Sequence, residues 1–263
     1  MQTLLLAITL VLGLTLTAVD GGSSTETLRP SPEPTTRPGR ADNIGKQSAK
    51  AFETEVTKTV KLDYLLSLPD GYEDDDQKTW PVVVFLHGAG ERGNDVNRVA
   101  TWGVPRLIAS GKQIPAIVVS PQCPAGDWWT NKIPELSALL DQIETDYRVD
   151  QSCIYLTGMS MGGYGSIAWA AEEPKRFAAV APVCGGGTEA AAAKIKDLPI
   201  WMFHGTEDPT VPADNSRNML KWIEAAGGDK TKLTLYEGVD HISWTHAYGD
   251  ERLWAWMFEQ RGD

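Results

Sequence analysis

The sequence predicts a doubly wound α/β fold, a mostly parallel sheet with helices on both faces. Short, near-continuous apolar runs recur at residues 81–86, 116–119, 153–157, 177–183, 200–203 and 233–236, each closed by Gly or Pro. Runs of this kind fit strands buried on both faces. Helix-like stretches lie between them, at 133–147, 164–171 and 215–226. Strand alternating with helix implies right-handed crossovers and a parallel sheet. Ahead of these elements, residues 55–68 show the mixed alternation of an antiparallel or edge hairpin. In such sheets functional residues gather beyond the carboxyl ends of the strands, so the loops there carry the chemistry.

The N-terminal fifth of the chain reads differently. Residues 4–18 are apolar apart from Thr9, Gly13, Thr15 and Thr17. That is shorter than the roughly 20 residues a membrane span needs, and small residues follow near Ala18. Residues 1–22 therefore read as a signal peptide for a secreted or periplasmic protein, although no Lys or Arg precedes the run. Residues 23–50 are rich in Pro, Ser and Thr; Pro30, Pro32, Pro34 and Pro38 each remove a backbone donor, so this stretch reads as a disordered linker. The folded catalytic domain is expected over 51–263. The whole chain carries a net charge of −11 with 42% hydrophobic residues. Surplus acid argues against nucleic acid, because like charges repel and no counterions are released.

After the run at 153–157 comes Gly158-Met159-Ser160-Met161-Gly162, then the start of a helix. This is G-x-S-x-G at a strand-to-helix turn, which places a serine hydroxyl at the sheet edge as a nucleophile. The glycines are required because the turn leaves no room for side chains beside the serine. The N–H of Met161, at a helix N-terminus, would face a bound carbonyl oxygen. The run at 81–86 leads into His87-Gly88-Ala89-Gly90-Glu91-Arg92-Gly93. Gly88, Gly90 and Gly93 mimic a dinucleotide fingerprint, but no acidic residue occurs from Val96 to Gly126 to hold a ribose. The better reading is a second oxyanion donor from the N–H of Ala89, or of Gly88, with Glu91 and Arg92 paired to hold the loop.

A serine needs a base, and the base needs a carboxylate to orient it. In this fold class the chain order is Ser, then Asp or Glu, then His. After 200–203 stands His204-Gly205-Thr206-Glu207-Asp208-Pro209, which favours Asp208 over Glu207. After the last strand stands Asp240-His241-Ile242-Ser243-Trp244-Thr245-His246, where His241 comes first and His246 second. His87 and His204 each precede a glycine at a strand end and read as structural. Trp128 and Trp129 follow the strand at 116–119 and Trp244 follows His241, so all three are placed near the substrate, where aromatic faces suit rings. Trp254 and Trp256 read as core.

These residues together resemble the secreted phospholipase/carboxylesterase-type α/β-hydrolases often labelled predicted peptidases, with feruloyl esterases and polyhydroxybutyrate depolymerases as more distant relatives. The matching stretches are Leu68-Pro69-Asp70-Gly71-Tyr72, 86–93, Ser120-Pro121-Gln122-Cys123-Pro124, 158–165, 181–187, 205–212 and 241–248. The resemblance implies an α/β-hydrolase fold and an esterase triad, which falls on Ser160, Asp208 and His241. Only sixteen residues, 184–199, separate two of the strands, so no cap domain is expected. An uncapped site suits short acyl or aroyl esters, such as acetyl or feruloyl groups on carbohydrates, or polyesters. A serine peptidase, an acyltransferase and a silent carbohydrate-binding scaffold are the rival readings.

The remaining signals are weak. Cys123 and Cys184 close strands expected to lie three apart, about 14 Å at ~4.8 Å per strand, beyond disulfide reach. Cys153 begins a strand at the opposite end, so three free, mostly buried thiols are expected. Glu73-Asp74-Asp75-Asp76 lacks a calcium-loop pattern and reads as a solvated turn. No His or Cys spacing suggests a catalytic metal, and no cofactor is expected.

Overall fold

A computed structural model describes residues 59–262; the signal-peptide and linker readings at 1–50 lie outside the described residues. Seven strands form one sheet: β1 (Tyr64–Ser67), β2 (Trp80–Leu86), β3 (Ile117–Pro121), β4 (Val149–Met159), β5 (Ala179–Val183), β6 (Ile200–Gly205) and β7 (Thr231–Tyr236). Their order is β1-β3-β2-β4-β5-β6-β7. All neighbours are parallel except β1, which runs antiparallel to β3 with Tyr64 opposite Pro121 and Ser67 opposite Val118. The expected hairpin at 55–68 is thus a single edge strand among the described residues, paired with β3 rather than with a chain neighbour. The strands β2 to β7 coincide with the six apolar runs, longer by one to four residues at one or both ends except at β5; β3 starts one residue later than its run and β5 two.

The helices are α1 (Gly103–Ala109), α2 (Ile133–Asp146), α3 (Met161–Glu172), α4 (Glu189–Lys194), α5 (Asp214–Ala225), α6 (Trp244–Gly249) and α7 (Glu251–Glu259). Alternation along each strand sends side chains to opposite faces. On one face Val82, Val84, Leu86, Ile154, Leu156 and Val180 pack with Leu136, Leu140, Ile167, Trp169 and Met219 of α2, α3 and α5. On the other, Val83, Phe85, Tyr155, Ala181 and Phe203 pack with Val104, Tyr248, Leu253, Trp254 and Met257 of α1, α6 and α7. Two covered faces explain why the central strands carry no polar alternation.

Between β5 and β6 the chain forms only the short helix α4, so no cap is inserted at this point. Cys123, Cys153 and Cys184 are free and buried. Three steps across the sheet separate β3, which Cys123 follows, from β5, which Cys184 follows. The acidic turn at 73–76 is exposed, and Asp75 Oδ1 accepts the N–H of Gln77 at 2.9 Å. Among the described residues no helix is long and apolar enough to cross a membrane.

Candidate active site

The strand-to-helix turn between β4 and α3 is built by close approach. A Cβ on Gly158 would sit 2.4 Å from the carbonyl oxygen of Gly162, and one on Gly162 would sit 1.9 Å from that of Leu86. Side chains there would push α3 off the sheet. Ser160, wedged between, adopts φ 55°, a conformation that L-residues disfavour, and its N–H donates to Val183 O at 2.9 Å. Strain of this kind persists only where the surroundings over-determine it.

The loops after β6 and β7 bring two further side chains to this turn. His241 Nε2 lies 2.9 Å from Ser160 Oγ, and His241 Nδ1 lies 2.6 Å from Asp208 Oδ2. The carboxylate only accepts, so Nδ1 carries the ring proton and Nε2 is left to accept from the serine hydroxyl. Asp208 is buried, and its Oδ1 accepts the N–H groups of Thr210 (2.9 Å) and Val211 (2.8 Å). Burial alone would raise this carboxyl; the hydrogen bonds from His241 and from the two N–H groups overcome it and hold the group below its ordinary value. Glu207 is exposed, and His246 packs on Tyr236 with ring centroids 5.2 Å apart, so neither joins the chain.

Met161, the first residue of α3, is buried beside the serine. Ala89 opens a one-turn 3₁₀ helix, Ala89–Glu91, and a Cβ on the preceding Gly88 would lie 3.7 Å from Ser160 Cβ. The glycine-rich loop therefore passes close over Ser160. Beneath it, His87 accepts the N–H of Cys123 on Nε2 (2.9 Å) and donates from Nδ1 to Gly88 O (2.6 Å). His204 bonds Val211 O (2.8 Å) and Ser216 Oγ (2.7 Å). Both rings are fully buried, and His204 Nε2 also lies 3.2 Å from Asp208 Oδ2, the oxygen that His241 engages.

Two expectations are overturned. Glu91 and Arg92 do not pair. Glu91 turns inward and is buried, while Arg92 donates to the carbonyls of Ala89 (2.9 Å) and Asp127 (3.1 Å) and lies over Trp128. The 3₁₀ turn sends these neighbours to opposite sides. Trp129 is no substrate contact: it is fully buried, its Nε1–H donates to His87 O at 2.9 Å, and Gly165 makes room for it. Trp128 remains 48% exposed. Trp244 packs edge-on against His241 with centroids 5.3 Å apart, but only 9% of it is exposed.

Sequence reasoning missed Gln122, whose Nε2 donates to the carbonyls of Glu91 and Asp95, both at 2.8 Å, and so ties the glycine-rich loop to the end of β3. Its only signal was its place in the Ser-Pro-Gln-Cys-Pro stretch. Cys184, Asp208 and His241 present sulfur, oxygen and nitrogen within 4.8 Å of one another. Burial pushes the Cys184 thiol up to about 12, so it stays protonated and is a poor metal ligand, and the other two are already bonded to each other.

The profile of the dienelactone hydrolase family matches residues 127–250. Feruloyl esterase C of Emericella nidulans is 30% identical over 194 residues, covering 72% of this chain and 70% of that protein. The chain belongs to the dienelactone hydrolase family. A probable feruloyl esterase C of Aspergillus terreus is 30% identical over 172 residues, and the match spans 63% of this chain and 62% of the relative. A solved thermostable esterase superposes with a TM-score of 0.64 at 36% identity, over 77% of this chain and 60% of that one. The chain thus has the α/β-hydrolase fold, and these matches leave over a third of the last two relatives unspanned.

Proposed function

We propose that this family member is a serine carboxylic-ester hydrolase that works through an acyl-enzyme. One observation carries the reading: an unbroken hydrogen-bonded chain from Ser160 Oγ through His241 to buried Asp208, at 2.9 and 2.6 Å, anchored on a strained turn. Ser160 Oγ attacks the ester carbonyl carbon while His241 Nε2 takes its proton, and the carbonyl π pair moves to oxygen. Asp208 holds the imidazole tautomer and balances the imidazolium. The N–H groups of Met161 and Ala89 receive the oxyanion; one such donor is worth about 3–4 kcal/mol in the transition state. Collapse breaks the ester C–O bond, and His241 returns the proton to the leaving alkoxide. Water, deprotonated by the same ring, then releases the acid and restores Ser160.

The substrate class proposed is a short acyl or aroyl ester, acetyl or feruloyl, of a carbohydrate, or a polyester. The short β5–β6 connection supports it, since among the described residues no insertion there forms a lid over a long acyl chain. Relatives named feruloyl esterase C, together with a bifunctional acetylxylan esterase/xylanase and a poly(3-hydroxyalkanoate) depolymerase, point the same way. Export by the apolar leader belongs to this reading.

The test is a panel of acetyl, butyryl, feruloyl and polyester substrates beside a peptide anilide, with wild type and Ser160→Ala. Ester turnover that vanishes in the variant supports the proposal. Turnover of the anilide alone assigns a peptidase, and unchanged turnover in Ser160→Ala removes the triad.

A further inference from the structure

The aromatic side chain best placed to meet a substrate is one that does not adjoin any of the catalytic residues in sequence. Trp102 precedes α1, and its ring packs edge-on against Trp244 with centroids 6.1 Å apart. Trp244 in turn packs on the His241 imidazole at 5.3 Å. The three rings form a file leading away from the base. Trp244 is largely covered, whereas Trp102 is 39% exposed and the nearby Ile242 is 40% exposed. Thr101 and Thr245, chain neighbours of the two tryptophans, are also exposed.

The backbone fixes this arrangement. Gly103 has φ 67°, and a Cβ there would lie 2.3 Å from the ring of Phe85, a core residue of β2. Only glycine turns the chain so close to the sheet, and the extended Trp102 ahead of it (φ −139°, ψ 171°) is held outward rather than folded into the core. A tryptophan kept partly in water by a turn that packs against the core is a platform whose ring is pre-organised for contact.

Chemistry decides which part of a substrate meets it. In the proposed mechanism His241 Nε2 must reach the leaving-group oxygen to protonate it, so the alcohol side of the ester lies on the imidazole side of Ser160. We propose that Trp102, backed by Trp244, is the platform for the leaving group, and that it takes an alcohol bearing a ring with one flat apolar face. A sugar, through its C–H face, and an aromatic alcohol share that chemistry. This inference rests on the esterase reading, and its test includes an arm that does not.

Ethyl acetate, benzyl acetate and an acetylated methyl β-xyloside share one acyl group and differ in the alcohol. Trp102→Ala should lower kcat/KM for a ring-bearing ester about 2- to 12-fold, mainly through KM, and leave ethyl acetate within about twofold. Trp102→Phe should restore most of the loss. Which ring responds tells sugar from aromatic. In parallel, saturation-transfer NMR follows benzyl alcohol and methyl β-xyloside binding to Ser160→Ala, where Trp102→Ala should weaken the signal of the same ring. Equal losses on all three acetates, no loss on either ring, or a loss that follows the acyl group in an ethyl ferulate control would each overturn the platform. If wild type cleaves no ester, the esterase reading fails and binding alone judges the platform: a signal lost with Trp102 supports it, an unchanged one refutes it.

Discussion

His87 offers a sharp test of how the glycine-rich loop over Ser160 is held. Its ring is fully buried, accepts the Cys123 N–H on Nε2 and donates from Nδ1 to Gly88 O. Burial pushes its pKa from 6.5 down to about 4, against the opposing hydrogen bond to Gly88, and Arg92 and Arg98 add to the lowering. Glu91 Oε2 lies 3.9 Å from Nδ1, and burial raises that carboxyl above its ordinary value, which weakens its pull on an imidazolium. A histidine with a depressed folded-state pKa contributes its stability fully above the unfolded value. Between 6.5 and 4 the unfolded chain binds a proton that the folded one refuses, so stability falls as pH falls. From pH 7.5 to 4.5 the loss works out at about 2–3 kcal/mol. Urea unfolding at both pH values, on wild type and His87→Gln, isolates this group, because other titrating groups contribute to both proteins alike. The variant should start less stable and lose about 2–3 kcal/mol less over the interval. Equal losses would mean that His87 is not the neutral strut described here.

Four further outcomes concern the site and its supports. Ser160→Ala and His241→Gln should each lower kcat on the best ester by about 10⁴-fold or more, and Asp208→Asn by about 10³–10⁴-fold, with unchanged circular dichroism. Gly162→Ala places a methyl against the Leu86 carbonyl and should cost at least about 3 kcal/mol in urea unfolding or prevent soluble expression. Gly90→Ala, where an added Cβ would meet no atom within 4 Å, should stay within about 0.5 kcal/mol. Trp129→Ala empties a fully buried site and should lose about 3–5 kcal/mol of stability, a cost that a surface ring contacting only substrate would not incur.

The strands of the sheet and the Ser160–Asp208–His241 chain were legible in the sequence for one physical reason. Each was announced by a local constraint that few sequences satisfy by accident. Burial on both faces forces unbroken apolar runs, and the turn at Ser160 excludes every side chain but hydrogen at Gly158 and Gly162. Asp208 was separable from Glu207 by its place in the loop alone, and the structure buries the first and exposes the second. Helices α1, α4 and α6 carry only six or seven residues each, too few to repeat a helical period, and they were not seen.

Side-chain direction was the harder matter. Trp128 and Trp129 are identical in type and adjacent in sequence, yet one is 48% exposed and the other fully buried. What separates them is the His87 carbonyl, 42 positions away in sequence, waiting for an indole N–H, and the hollow left by Gly165 on α3. The same logic split Glu91 from Arg92, because two backbone carbonyls, those of Ala89 and Asp127, compete for the guanidinium more effectively than an adjacent carboxylate on the far side of a 3₁₀ turn. It also hid Trp102, whose neighbours in sequence say nothing of the imidazole two rings away. A motif reports constraints that lie within a few residues of it, whereas the direction of an aromatic ring is decided by whichever distant backbone group or cavity it completes. The hydrogen-bonded chain at Ser160 was therefore readable from local pattern, and the direction of the tryptophans only from the packed fold.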